Sequence, residues 1–202
     1  MSHLNTENIA RSTEEVEWHP LRPFLPENAR ILFLGSFPPQ RKRWCMDFYY
    51  PNWTNDHWRI EGLVFHGDRD YFADTERRTF RLEAIEAHCK EQGLAFFDTA
   101  TAVRRLHDNA SDRFLEVVEA TDVEALTASL PQLRAIVTTG EKATQTLCQQ
   151  WQIATPPAVG SAVEVPGHRF VLHRLPSSSR AYPLSLEKKA DAYRHMFKTY
   201  LE

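Results

Sequence analysis

The sequence predicts an α/β protein built on a short, mainly parallel four-stranded sheet with helices on both faces. Apolar runs of buried-strand length recur at Ile31–Leu34, Leu94–Phe97, Ala135–Thr138 and within His168–Leu175, and segments of helical apolar spacing lie between them. Strands that alternate with helices pair in parallel through right-handed crossovers. The strand runs also lead into polar or Gly/Pro-rich loops, at Gly35–Trp58, Asp98–Thr99 and Pro176–Arg180. Open sheets of this kind bind ligands outside the C-terminal ends of their strands, so these three loops are expected to converge at one rim.

Taken in order, residues 1–28 read as an extended polar arm that lacks a signal-peptide core and is punctuated by Pro20, Pro23 and Pro26. Gly35 breaks the first strand. Pro38 and Pro39 keep a helix from starting there, because the residue before each proline is pushed out of the α region. Beyond Trp58, HGDRDYFADT reads as an exposed loop. Asp74 or Thr75 then caps a helix carrying Phe80, Ala84, Ala87 and His88 at helical spacing, and Gly93 stops it. After the second strand, ATAVRRLHDNASDRFLEVVEA is compatible with helix or with irregular chain. Thr121-Asp122-Val123-Glu124 forms a capping box before a helix through Leu126 and Leu130. Gly140 opens a helix with Ala143, Leu147, Cys148 and Trp151 on one face. The last helix runs from about Leu184 to Tyr200, with Leu186, Ala190, Tyr193, Phe197 and Tyr200 as its apolar stripe.

Size and composition bound the function. A chain of 202 residues, 42% hydrophobic and 25% charged, is expected to form one globular domain with a full core. A net charge of -3 excludes a broadly basic nucleic-acid-coating protein, so any DNA contact has to be local. Cys45, Cys89 and Cys148 lie far apart. They supply neither a four-thiolate iron–sulfur site nor an even disulfide framework, which favours a reducing compartment. The histidines show no paired metal spacing, and no apolar run approaches transmembrane length. These features lead to the expectation of a cytoplasmic monomer without metal or cofactor.

The richest stretch is ILFLGSFPPQRKRWCMDFYYPNWTNDHW, from Ile31 to Trp58. Its aromatics Phe48, Tyr49, Tyr50, Trp53 and Trp58 stand among Asp47, Asn52, Asn55 and Asp56. Flat apolar faces beside amides and carboxylates suit a base-sized ring. Arg41-Lys42-Arg43 reads either as a solvated surface run or as a source of phosphate contacts.

Two segments of the chain, LGSFPP…FYYPNWTNDHW from Leu34 and LPSSSRA from Leu175, resemble the paired signature motifs of the uracil-DNA glycosylase superfamily. They are most similar to those of its mismatch-specific uracil and hypoxanthine-type branches. The resemblance covers about Ile31 to Tyr200. It implies a three-layer α/β/α sandwich and a monofunctional DNA glycosylase that hydrolyses the N-glycosidic bond of a deaminated base, uracil or hypoxanthine, after flipping it out of the stack. Matched by motif, Tyr50 is the aromatic that stacks on the base, and Gly35, Ser36, Phe37 and Pro38 form the base-binding loop. Asn55 is the catalytic asparagine, with Asp98 as rival or helper in placing the water. Ser177, Ser178, Ser179 and Arg180 grip the DNA strand, and Trp58 is structural. The chain departs from the family pattern at several positions: Phe37 stands where relatives carry a water-positioning Asp or Asn, Pro39 replaces a glycine, and His57 replaces a phenylalanine. In the second motif Leu175 occupies the histidine position and Ser179 the leucine wedge.

Each of these residues also has a plain structural reading. Asn55 is a preferred helix cap, Tyr49 and Tyr50 are ordinary core aromatics, and Asp98 is a strand-end cap. Ser177–Ser179 equally form a turn or cap the last helix, although serine hydroxyls beside an arginine suit phosphate oxygens. Rival functions follow from the same residues. One is a lesion-binding protein that has lost the reaction, and another is a serine hydrolase using Ser177, His173 and Asp98 without a G-x-S-x-G elbow.

Overall fold

The structure, a computed structural model, describes residues 15–105 and 115–202. The N-terminal half holds β1 (Glu17–Trp18), β2 (Ile31–Gly35), a 3-10 turn (Arg41–Arg43), α1 (His57–His66), β3 (Ala73–Asp74), β4 (Thr79–Phe80), α2 (Leu82–Gln92) and β5 (Leu94–Asp98). Next come β6 (Ala100–Arg105), β7 (Leu115–Ala120), α3 (Val123–Ala128), β8 (Ala135–Thr138) and α4 (Glu141–Gln150). β9 (Ser161–Glu164), β10 (Val171–Arg174) and α5 (Leu186–Leu201) complete the chain.

The central sheet has the order β5-β2-β8-β10-β9. β5, β2, β8 and β10 run parallel, as their apolar runs predict. β9 pairs antiparallel with β10, so the sheet has five strands rather than the four expected. The missed strand is a short edge strand whose burial alternates along Ser161–Glu164. An edge strand needs no continuous apolar run, which is the signal that identified the others.

Register sorts the side chains by face. Phe33 pairs with Phe96 and with Val137, and Val137 pairs with His173. Phe33 stacks on Phe96 at 5.2 Å and meets His57 of α1 and Phe197 of α5 edge-on. His173 reaches Tyr200 of α5 on that same face. One residue further along β8, Thr138 turns to the other face, where its hydroxyl bonds Thr144 of α4 at 2.8 Å. Helices therefore cover both faces. Gly93 ends α2 at φ 72°, and a Cβ there would meet the Asn28 carbonyl at 2.6 Å, so the expected stop is also a close backbone crossing.

Four sequence readings need correction. Asp74 caps no helix. It sits in the β3–β4 hairpin, Phe80 is a strand residue, and α2 begins only at Leu82, with Ile85, His88 and Cys89 as its buried face. The ambiguous segment is β-structure where it is described, β6 and β7 pairing antiparallel, while 106–114 lie outside the described residues. The arm is not loose where described. β1 pairs with β6, and Phe24 exchanges backbone hydrogen bonds with Phe96. Residues 1–14 lie outside the described residues. In the capping box, Asp122 rather than Thr121 is the cap, accepting from the Ala125 N–H at 3.0 Å.

Two buried groups give stability a pH signature. Burial lowers the His173 pKa from 6.5 to about 4, with His195 adding to the effect. Above pH 6.5 the ring is neutral folded and unfolded; between 6.5 and 4 the unfolded chain binds a proton that the folded chain refuses, so stability falls. Burial would raise the Glu61 pKa, but His57 and His88 more than offset it and hold Glu61 at about 2, so its stabilisation is lost as pH falls from 4.5 through 2. The melting temperature is expected to decline in both windows, and His173→Phe is expected to flatten the upper window alone, as read by thermal melts across pH.

Candidate active site

The ends of β2 and β5 lie side by side, with Gly35 paired to Asp98. A Cβ on Gly35 would fall 2.4 Å from Asp98 Oδ1, so only glycine lets the carboxylate occupy that place. Around it opens a cavity of about 590 Å³. The three loops expected to converge do so, and all eleven residues singled out from the sequence (Gly35, Ser36, Phe37, Pro38, Tyr50, Asn55, Asp98, and Ser177 to Arg180) line this one space.

Asn55 stands just before α1. Its Oδ1 accepts from the His57 N–H at 2.9 Å, the first N–H of α1, while the next residue, Asp56, holds the N-cap position, and Asn55 faces the cavity. That bond engages the carbonyl end of the amide and leaves Nδ2 as a donor for a ligand. Next to it the two motifs zip together: Asn55 bridges Ser179 as a short antiparallel contact, and the Asp56 N–H donates to the Ser178 carbonyl at 2.9 Å. Ser178 is 2% exposed. Ser177 Oγ accepts from the Ser179 N–H at 3.1 Å, which shapes the turn.

A buried ion cluster locks this junction. Lys189 of α5, 1% exposed, donates to Asp56 Oδ2 at 3.1 Å and to the Ser179 carbonyl at 2.8 Å. Arg180 approaches Asp56 Oδ1 at 3.3 Å through both Nε and Nη2 and keeps half its side chain in solvent. Asp56 also lies at the positive end of α1, which favours its charge.

Tyr50 forms the aromatic wall. Its ring stacks on His57 at 3.7 Å and 9°, and its backbone takes φ 50°, in the left-handed region. Beneath it His57 Nε2 lies 3.0 Å from Glu61 Oε1, and His88 Nε2 lies 2.8 Å from Glu61 Oε2, with the Glu61 side chain wholly buried. His57, which stands where the resembled motif has phenylalanine, thus lies between Tyr50 and a buried carboxylate. Tyr49 also lines the cavity and donates to the Arg22 carbonyl at 2.8 Å, and burial followed by Asp98 pushes its hydroxyl pKa well above the usual range. Trp58, 1% exposed, donates to the Tyr49 carbonyl at 3.0 Å and is a core residue.

Phe37 is 7% exposed, packs with Ala100, Val103 and Leu115, and presents an apolar ring to the cavity. Asp98 is equally buried, and its Oδ2 lies 2.8 Å from His19 Nε2. His19 and Arg105 escaped the sequence reading. Arg105 lines the cavity, donates through Nε to both Glu17 carboxylate oxygens at 2.9 Å and through Nη2 to the Pro38 carbonyl at 2.7 Å. No spacing signals these contacts, since they join the arm to strands some eighty residues away. Thr139 and Gly140 also line the cavity, and the rule that found the other loops, polar residues after a buried strand, applies to them. Within the basic run, Arg43 reaches the cavity, whereas Arg41 pairs with Asp47 and stacks over Trp44.

The hydrolase triad does not assemble. His173 Nδ1 lies 3.1 Å from the Tyr200 hydroxyl, on the face covered by α5, and Ser177 Oγ is engaged within its own turn. Among the described residues no group of three or more His, Cys, Asp or Glu could hold a metal ion, and no helix is long and apolar enough to cross a membrane.

No family model matches the chain, and no curated protein matches it in sequence. Among solved structures it is similar to the solution NMR structure of a "putative Uracil DNA glycosylase" from Methanosarcina acetivorans. The two are 23% identical with a TM-score of 0.59, over 90% of this chain and 99% of that one. The two chains share a fold.

Removing Lys189 would leave the buried Asp56 carboxylate with only the half-exposed Arg180 as a cationic partner and the Ser179 carbonyl without its lysine donor. Lys189→Met is therefore expected to lower the unfolding free energy by roughly 3 kcal/mol in urea denaturation.

Proposed function

We propose that the protein is a monofunctional DNA glycosylase of the uracil-DNA glycosylase superfamily, a single domain that hydrolyses the N-glycosidic bond of a deaminated base, uracil or hypoxanthine. The observation that carries this reading is the meeting of both motifs in one cavity with an aromatic wall, an amide, a buried carboxylate and an arginine.

The chemistry follows from the charge that develops. As the C1′–N bond breaks, the sugar becomes cationic and the departing base anionic, so an enzyme gains by placing a negative group near C1′ and donors near the base. Asp98 is the negative group. It is a base able to take a proton from water, and its carboxylate sits at the rim over Gly35. Asn55, its Oδ1 already bonded to the first N–H of α1, acts as the donor through Nδ2, to the base or to the attacking water. Tyr50 stacks on the flipped base, backed by His57, and the amides around Ser36 and Phe37 meet its edge. Ser177, Ser179 and Arg180, with Arg43 across the cavity, hold phosphate oxygens. No lysine lines the cavity among the described residues, in keeping with hydrolysis by water rather than through a Schiff base.

A second reading has one observation in its favour: Phe37 puts an apolar ring where relatives position water, which suits a protein that binds lesions without cutting. Single-turnover base release from oligonucleotides, each carrying one deaminated base, separates the two. The glycosylase is expected to release at least one base. Asp98→Ala is then expected to lose about 10²–10⁴ in rate, the usual worth of a general base. Asn55→Ala is expected to lose about 10²-fold, as for a lost transition-state donor. Tyr50→Ala is expected to weaken lesion binding roughly tenfold, one base stack. Lesion affinity with no abasic product from any substrate would leave the binding reading in its place.

A further inference from the structure

Asp98 does not stand alone, and its partner comes from neither motif. The backbone N–H of His19 bonds the Thr101 carbonyl at 2.9 Å, directly after β1 pairs with β6. Its ring, with 4% of the side chain exposed, enters between Phe37 at 5.3 Å and Phe97 at 4.6 Å, where Nε2 meets Asp98 Oδ2 at 2.8 Å. Its other nitrogen faces the backbone of Leu21, with Nδ1 2.9 Å from the carbonyl oxygen and 3.2 Å from the amide nitrogen.

We infer that His19 is a positioning residue for the glycosidic hydrolysis, fixing the Asp98 carboxylate so that Oδ1 is the oxygen presented to the water. This inference rests on the glycosylase reading and deepens it. A carboxylate with one free torsion needs a second anchor, and a misplacement of ~1 Å at a reacting centre costs ~10²-fold in rate. The Leu21 backbone keeps the anchor in place whatever the ring's charge. A neutral ring donates from Nε2 to Asp98 while Nδ1 accepts from the Leu21 N–H. A doubly protonated ring donates to Asp98 and to the Leu21 carbonyl. In both states Nε2 occupies Oδ2, so Oδ1 is left for the reaction. The step then balances without a change at His19. The water oxygen bonds C1′, the C1′–N pair leaves with the base, and the water proton passes to Oδ1 and from there to the departing base or to solvent. His19 keeps its Nε2 proton throughout.

The test compares His19→Ala and His19→Gln with wild type on whichever deaminated oligonucleotide the wild-type protein cuts, in single turnover, with DNA affinity measured by anisotropy. A glutamine Nε2 can replace the imidazole donor. His19→Ala is expected to lose roughly 10- to 100-fold in rate with DNA affinity within about threefold of wild type, and His19→Gln to recover most of that loss. The double variant H19A/D98A is expected to be no slower than D98A, since an anchor has nothing to hold once the carboxylate is gone. Should the alanine variant melt at the assay temperature, His19→Leu against His19→Gln makes the same comparison at similar volume. A wild-type rate in the variants lacking the donor, or losses that multiply in the double variant, would overturn the role of His19 and leave the glycosylase standing. A wild-type protein that releases no base from the whole panel would overturn both.

Discussion

A missing side chain is the constraint on which the rim depends. Two parallel strands end level with one another, Gly35 beside Asp98, and the carboxylate stands over the glycine where any Cβ would lie 2.4 Å from its oxygen. That placement puts an acid at the C-terminal edge of the sheet, within reach of His19 on one side and open to the cavity on the other. The parallel register is itself set by the buried pairs Ile31–Leu94 and Phe33–Phe96. Core packing and the chemistry of the site are thus two ends of the same ladder.

Charge is concentrated under the cavity in two clusters, each drawing on more than one element. Asp56 draws on Arg180 and on Lys189 of α5, and Glu61 of α1 draws on His57 and on His88 of α2. Buried ion pairs contribute little to net stability, because desolvation offsets much of the attraction. What they contribute here is orientation. The first cluster holds the Ser177–Arg180 turn against the start of α1. The second fixes the His57 ring on which Tyr50 lies. The left-handed backbone at Tyr50, which costs about 1 kcal/mol or more for a residue with a Cβ, persists inside that framework.

The four parallel strands were legible because strands buried on both faces read as continuous apolar runs, as Ile31–Leu34 and Leu94–Phe97 do. The loops after them were legible for the same reason, and so was a part for Asn55 at the start of α1, since an asparagine before a helix has a local meaning, although the N-cap position itself falls to Asp56. Ser161–Glu164 and the β6–β7 pair were not, being short or half-exposed strands whose partners decide their structure. His19 was invisible on different grounds. Its ring meets a carboxylate 79 positions away, and nothing in the tripeptide Trp18-His19-Pro20 announces that meeting. Phe37 was legible as a departure from the motif, but its packing with Val103 and Leu115 was not.

The Asp56–Lys189 contact spans 133 positions. The first motif is made before the second, but the ammonium that fastens the two together arrives only with α5. A nascent chain can lay down the strands and still lack the junction that gives the cleft its form. The finished cleft thus waits until translation has passed α5, and a chain cut short before that helix would carry every cleft-lining residue without the clasp that sets them in place.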